Sequence, residues 1–453
     1  MKSSQYNLYI PTPNNKYVVY NTLTGSLIFI DEELKSLLEK NQFDNLDDAH
    51  KKHLMENGIT VPDSIDETLI YNYLFTKEMY SPPYTSVTIF PTYACNLSCH
   101  YCFQKWSDTP KASMNDTLLK NTLEFLKNQI TEDKSRALLL KVFGGEPLVH
   151  PRATEALLAG LHQWASDHGI EFFGTLTTNA TLFRGELFER LSPHVAACHI
   201  TIDGPEELHN SIRFYSNGEG TYHDIMESLE FLNKTSIRTC IRINIHNGDY
   251  KVTASLLEDL KNRGFSKNPN FELDFGLVTP KEQCRLHSEV ESYIKNKELV
   301  VASAQYIDTM LKRLGWENLE SVRYPDNIRM DRPPVMCDQT KRRRYIIDSF
   351  GDIYLCPSKA GDETFRVGRI GEGGKAAWKQ DFYQILTRHP LSFEECRECP
   401  YLPVCGGGCA VHARETNGSY NTSFCGAVKH ITSQKVLSYL ERYYPEMMKA
   451  QSQ

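Results

Sequence analysis

The sequence predicts an α/β chain in which a parallel sheet curves into a partial (β/α)6 barrel, set between a small N-terminal module and a cysteine-rich C-terminal region. Three observations carry this reading. Residues 5–30 alternate apolar and polar, with turn residues between the runs. From 86 to about 300, short apolar runs alternate with amphipathic helices. From 301 to 453 the chain is rich in Cys, Gly and Pro and poor in long periodic segments.

A chain of 453 residues is long enough for two or three domains, each with its own core. Hydrophobic and charged contents of 40% and 24% are ordinary for a globular protein. A net charge of −7 argues against a general nucleic-acid or membrane binder. The start, "MKSSQYNLYIPTPNNKY", has no apolar signal core, and no apolar run is long enough to span a bilayer. The expectation is a cytoplasmic protein.

In order along the chain, "YNLYIP", "YVVY" and "SLIFI" read as a three-stranded meander. Asp31 caps a helix over "EELKSLLEK", and "LDDAHKKHLMENG" is a second helix ending at Gly58. "SPPYTS" at 81–86 marks a boundary, so 1–82 reads as an independent module. In 83–300 the strand candidates are 86–92, 137–145, 171–179, 196–204, 238–246 and 271–278. Helices at 115–129, 152–167, 221–233 and 252–263 lie between them. The remainder, 301–453, has weak apolar patterning, and a core organised by metal is expected there.

Thirteen cysteines are the anomaly. In a reducing compartment, clustered thiols mean metal binding or redox catalysis more often than disulfides. "YACNLSCHYCFQ" puts Cys95, Cys99 and Cys102 in one loop directly after the first barrel strand. In αβ barrels the loops after the strands form the active face. Three thiolates suit an iron–sulfur cluster with one iron left open, as catalytic metal sites keep an open position. A second group follows at Cys337, Cys356, Cys396, Cys399, Cys405, Cys409 and Cys425. A structural zinc site for the trio and zinc knuckles for the tail are the alternatives.

The motif Cys95-x3-Cys99-x2-Cys102, with Tyr101 before the third cysteine, resembles the signature of the radical S-adenosylmethionine (SAM) superfamily. "GGEPL" (144–148), "TNATL" (178–182), "ITIDGPEELHNSIR" (200–213) and "RINIHN" (242–247) resemble later motifs of that family, in order and each near a strand end. The resemblance implies that a 4Fe–4S cluster on Cys95, Cys99 and Cys102 binds SAM and cleaves it to a 5'-deoxyadenosyl radical. It implies SAM contacts from Tyr101, Gly144, Gly145, Glu146, Asn179, Thr201, Asp203 and Arg213. Ser is more usual than Thr201 in that stretch. The glycines permit close backbone approach, the Glu146 carboxylate is available to an ammonium, and Arg213 suits a carboxylate.

The tail resembles the SPASM extension of the same superfamily, with Gly351-x4-Cys356 and the run Cys396-x2-Cys399-x5-Cys405-x3-Cys409. That resemblance implies two auxiliary 4Fe–4S clusters, hence three in all. Cys396, Cys399, Cys405 and Cys425 would hold the outer one. Cys337, Cys356 and Cys409 would hold the inner one, a ligand short. Either that site is open, or Cys240, Cys284 or a non-cysteine group closes it. Cys198, Cys240 and Cys284 otherwise read as small buried residues. "KRRR" (341–344) reads as a solvated loop or as a dock for an acidic peptide.

The module at 1–82 resembles the winged-helix-like leader-recognition element of enzymes that mature ribosomally made peptides, where a leader is bound by strand addition. The implied function is a radical SAM, oxidoreductase-type peptide maturase (a RiPP maturase) forming an intramolecular cross-link such as a Cys thioether. Its implied partners are a precursor peptide with a leader and an electron donor such as flavodoxin or ferredoxin. The competing readings are an anaerobic sulfatase maturase forming formylglycine and a non-catalytic iron–sulfur electron carrier.

Overall fold

The computed structural model describes residues 1–13, 16–81, 83–102, 110–245, 250–277, 306–307, 309–311, 313–316, 337–426 and 428–448. Cys284 and the stretch before Cys337 lie outside them. The chain divides into two compact units. One comprises Met1–Pro82, Asp326–Arg342 and Tyr383–Gln453; the other comprises Pro83–Pro325 and Arg343–Phe382.

The first unit opens with β1 (Lys2–Ser3), β2 (Asn7–Pro11), β3 (Tyr17–Asn21) and β4 (Leu27–Ile30). The last three form the expected antiparallel meander, in the order β2-β3-β4. Helix α1 (Glu32–Lys40) starts where Asp31 accepts the Leu34 N–H at 2.8 Å. Helix α2 (Asp48–Glu56) and strand β5 (Thr60–Val61) follow, the latter paired with β1. Helix α3 (Glu67–Tyr80) was not foreseen. It buries Tyr71, Phe75 and Met79 but leaves Leu69, Ile70 and Tyr73 exposed. Apolar residues on every side erase the 3.6-residue stripe by which a helix is recognised.

In the second unit β6 (Tyr84–Ile89), β7 (Ala137–Val142), β8 (Glu171–Thr178), β9 (Ala197–Ile202), β10 (Arg238–Ile245) and β11 (Phe271–Leu277) pair in parallel and in sequential order. Helices α4 (Asp116–Glu132), α5 (Pro151–Asp167), α6 (Gly185–Leu191), α7 (Glu206–Ile212), α8 (Tyr222–Leu232) and α9 (Thr253–Asn262) occupy the crossovers. Beyond β6 the sheet continues through β12 (Arg344–Ile347), parallel to β6, then β13 (Asp352–Tyr354), β14 (Gly368–Ile370) and β15 (Ala376–Trp378), all antiparallel. Alternate strand positions such as Val87, Leu140, Leu176, Ile200, Ile241 and Leu273 are fully buried. Several intervening positions, among them Lys141, Thr175, His199, Thr201, Arg242 and Asp274, are polar and half-buried, and the register sets Thr201 beside Arg242 and Arg242 beside Asp274.

The tail completes the first unit with α10 (Glu394–Arg397), α11 (Leu402–Cys405), α12 (Ala410–Asn417), α13 (Val428–Tyr443) and α14 (Pro445–Met448). Residues 1–82 have one core of their own, where Val19, Ile30, Leu38, Phe43, Leu54 and Ile59 bury together, and share two more with the tail. Leu8, Ile10, Val18 and Tyr20 bury against Val404, Val436, Leu440 and Met448. Tyr6, Tyr71, Phe75 and Met79 bury against Phe393, Cys396 and Leu402. An apolar sheet face needs a cover, and the cover comes from the far end of the chain. The segment 1–82 thus combines a core of its own with apolar faces that the tail covers.

Candidate active site and metal centres

The cysteine loop leaves the C-terminal end of β6, and the turn after β7 is laced to it. The N–H of Gly145 donates to Thr92 O at 3.0 Å and that of Glu146 to Ala94 O at 2.8 Å. A Cβ on Gly145 would lie 2.2 Å from Ala94 O, and one on Gly144 (φ +135°) 2.5 Å from Thr92 O, so only glycine permits this approach.

Glu146 turns its carboxylate inward and is 0% exposed. It accepts from Leu148 N at 3.0 Å, Thr178 Oγ1 at 2.7 Å and Asn179 N at 2.7 Å. Burial pushes its pKa up to about 7 against these donors. The carboxylate expected to be available to an ammonium is thus committed to joining the loops after β7 and β8. Asn179 completes the join: its side-chain amide donates to Asn96 Oδ1 at 2.9 Å and reaches Cys95 Sγ at 3.9 Å. The Leu97 N–H also points at that sulfur, at 3.4 Å. Burial pushes the Cys95 thiol up to about 12 and raises that of Cys99, so a thiolate here needs a positive partner such as a metal.

A polar network continues from the cysteine loop across β9 and β10. The Tyr101 hydroxyl donates to Asp203 Oδ2 at 2.7 Å and accepts from Arg213 Nη1 at 2.7 Å. Asn244 Nδ2 donates to Asp203 Oδ1 at 2.9 Å, and Arg242 Nε to Asn244 Oδ1 at 3.0 Å. Arg242 is in turn paired with Asp274 at 2.6 Å. Burial opposes the Arg213 charge, but Tyr101, Cys99 and Asp203 outweigh it and hold the guanidinium above its usual pKa. Arg213 Nε is buried without a hydrogen-bond partner among the described residues. An orphaned guanidinium donor beside the three cysteines fits the carboxylate of a SAM molecule. Thr201 takes no part in these hydrogen bonds.

In the first unit, Cys396, Cys399, Cys405 and Cys425 line one pocket. Burial raises Cys396 to about 12 and Cys405 to about 11. A second pocket is lined by Cys337, Arg388, Gly406, Gly408 and Ala410. Cys356 follows β13 in the second unit. Among the described residues, no three Cys, His, Asp or Glu are drawn in to the spacing of a single metal ion. Four thiols around one pocket are the donor set that a 4Fe–4S cluster takes. Cys198 is 0% and Cys240 9% exposed, on β9 and β10. Lys341 of "KRRR" is buried and paired with Glu78 and Asp338, and Arg344 is buried within β12, so these two are not the exposed residues of a solvated loop. The sequence reading missed Asn244, Arg242 and Arg388; polar residues at alternate positions of a buried strand were the available signal for the first two.

Residues 89–260 match the model of the Radical SAM superfamily. The chain is 21% identical over 364 residues to a Cysteine-type anaerobic sulfatase-maturating enzyme of Clostridium novyi, covering 77% of this chain and 94% of that one. Its fold is similar to that of anSMEcpe with bound AdoMet, with a TM-score of 0.58, 20% identity, and 81% and 94% of the two chains covered. It is also similar to Streptococcus suis SuiB bound to the precursor peptide SuiA, with a TM-score of 0.50, 15% identity, and 94% and 99% covered. Among the described residues no helix is long and apolar enough to cross a membrane.

Proposed function

From the radical SAM domain that this chain carries, we propose a peptide maturase that uses the 5'-deoxyadenosyl radical to cross-link a ribosomally made precursor, with a Cys thioether as the preferred bond. Cys95, Cys99 and Cys102 would hold the SAM-binding cluster, and Arg213 would meet the SAM carboxylate. When bound, cluster and SAM supply the radical; the residues of the chain bind, orient and shield. The backbone of the Gly144–Glu146 turn, and not the Glu146 side chain, would meet the SAM amino group. The tail would be a SPASM domain, its outer cluster on Cys396, Cys399, Cys405 and Cys425. For the inner cluster the family resemblance implies Cys337, Cys356 and Cys409, with the last position open to a substrate thiol. An external electron donor such as flavodoxin or ferredoxin would reduce the enzyme.

The observation that carries the peptide reading is the N-terminal sheet. Strand β4 is its edge, with β3 on one side only. Register leaves the backbone groups of Leu27 and Phe29 pointing outward, because the Asn21 N–H bonds Ser26 O and the ladder alternates from there. An extended leader can add there as a fourth strand of a winged-helix-like recognition element. The likeness to SuiB, seen with its precursor, supports this reading because it extends over 94% of this chain.

A second reading, an anaerobic sulfatase maturase forming formylglycine, is favoured by the relatives of that description. One experiment separates them. The chain is co-expressed with the short peptide encoded beside its gene, and the peptide is analysed by mass spectrometry. Loss of two hydrogen atoms from a Cys-containing segment, without a carbonyl-reactive aldehyde, is expected. An aldehyde, in the peptide or in a sulfatase substrate, would replace the first reading by the second.

A further inference from the structure

Arg388 is 7% exposed and sits in an irregular stretch before α10. Its guanidinium donates to four carbonyls: Tyr420 O at 2.8 Å, Gly406 O at 3.5 Å, Gly407 O at 2.6 Å and Thr422 O at 2.9 Å. The Phe393 ring lies 4.9 Å from Cζ. None of these contacts is to a carboxylate, so among the described residues the charge is solvated by dipoles and has no carboxylate counter-ion. Burying an uncompensated cation is costly, and such groups persist where an anion faces them.

Arg388 lines the same pocket as Cys337, and two of its carbonyl partners, Gly406 and Gly407, lie between Cys405 and Cys409. Burial holds its guanidinium below the ordinary arginine range. The loop it grips is the segment between the two tail pockets. Cys405 and Gly407 line one; Gly406, Gly408 and Arg388 itself line the other. Gly406, Gly407 and Gly408 all have positive φ, at 58°, 75° and 77°. A Cβ on Gly408 would fall 1.7 Å from Phe424 O. Such a loop is unable to fix itself through side chains; Arg388 holds it from outside through Gly406 O and Gly407 O and ties it to the 420–422 segment through Tyr420 O and Thr422 O.

We infer that Arg388 is a positioning residue for the auxiliary centres: a buried cation that clamps the Cys405–Cys409 loop and raises the reduction potential of the clusters held on either side of it. The inference rests on the auxiliary-cluster reading above. Cluster potential is set by net charge, hydrogen bonds and burial, and a fixed cation favours the reduced, more negative state.

The test uses the full chain with Cys95, Cys99 and Cys102 replaced by Ala, so that only tail iron is observed. Iron and sulfide are counted, and auxiliary-cluster reduction is followed by EPR-monitored titration. Arg388→Met is expected to lower the reduced-to-oxidised ratio at fixed potential by about tenfold or more, equivalent to about 59 mV for one electron. Arg388→Lys, which keeps the charge, is expected to recover most of that shift. An unchanged midpoint in Arg388→Met at full iron content would overturn the inference. So would an equal shift in both variants, or loss of tail iron from both, since either makes Arg388 a scaffold and nothing more. A parent without tail iron would instead refute the auxiliary-cluster reading.

Discussion

The side-chain amide of Asn179 lies 3.9 Å from the sulfur of Cys95, while its backbone N–H donates to Glu146 at 2.7 Å. One residue after β8 thus connects the cysteine loop after β6 to the glycine turn after β7. The three strand ends behave as one assembly, and its weak points can be named.

Gly145→Ala should break that assembly. The added methyl would meet Ala94 O at 2.2 Å, and backbone on both sides prevents relief. Iron at the SAM-binding centre should be lost while tail iron stays. Metal analysis against the unmodified chain checks this, and full iron with normal SAM cleavage would show that the loops are not held by this contact.

Arg213→Met should weaken SAM binding by about tenfold or more, the scale of one charge-assisted hydrogen bond lost from a buried site. The partnerless Nε is the donor at stake. Equilibrium dialysis with intact cluster absorbance is the check. Unchanged affinity would assign Arg213 to the Tyr101–Asp203 network alone.

Asp348 offers a pH test. It is fully buried, accepts from Phe350 N and Asp352 N, and lies near the hydroxyls of Tyr93 and Tyr354. Burial raises its pKa from 3.8 to about 6. Below pH 3.8 the group is neutral folded or unfolded; as pH rises towards 6 the folded state carries a growing penalty. The stability of the wild type relative to Asp348→Asn should therefore fall across that window, by about 3 kcal/mol in all. Calorimetry at several pH values measures it, and a flat difference would refute the shift.

How far the sequence foretold these features depends on range. The parallel strands were legible because residues such as Leu138, Leu140 and Val142 alternate with less buried neighbours, a local pattern. The strand at 86–92 was drawn too far: the paired residues end at Ile89, the Phe90 N–H makes a last bond to Ile347 O, and Pro91 has no N–H to continue. The pairing of Leu8 and Ile10 with Val436 and Leu440 was not legible at all, since nothing local announces a contact across most of the chain. The cysteines were legible by spacing. Arg388 was not, for "TRHPLSF" reads as any loop.

That shared core also governs how the N-terminal sheet is tested. Deleting it would expose Val404, Val436 and Leu440, at roughly 1.5–3 kcal/mol each, and would damage the tail along with any recognition site. Hydrogen exchange is cleaner. Amides of Leu27 and Phe29 should gain protection when the precursor is added and lose it when its leader is removed. Unchanged exchange would reject strand addition at β4.

The most direct test of the account is anaerobic SAM cleavage by the chain and by its Cys95→Ala, Cys99→Ala, Cys102→Ala variant, with iron counted in both. The account predicts that the wild type forms 5'-deoxyadenosine, that the variant forms none, and that the variant keeps the iron of the tail. Cleavage that survives the three substitutions, or a variant and wild type with equal iron, would contradict it.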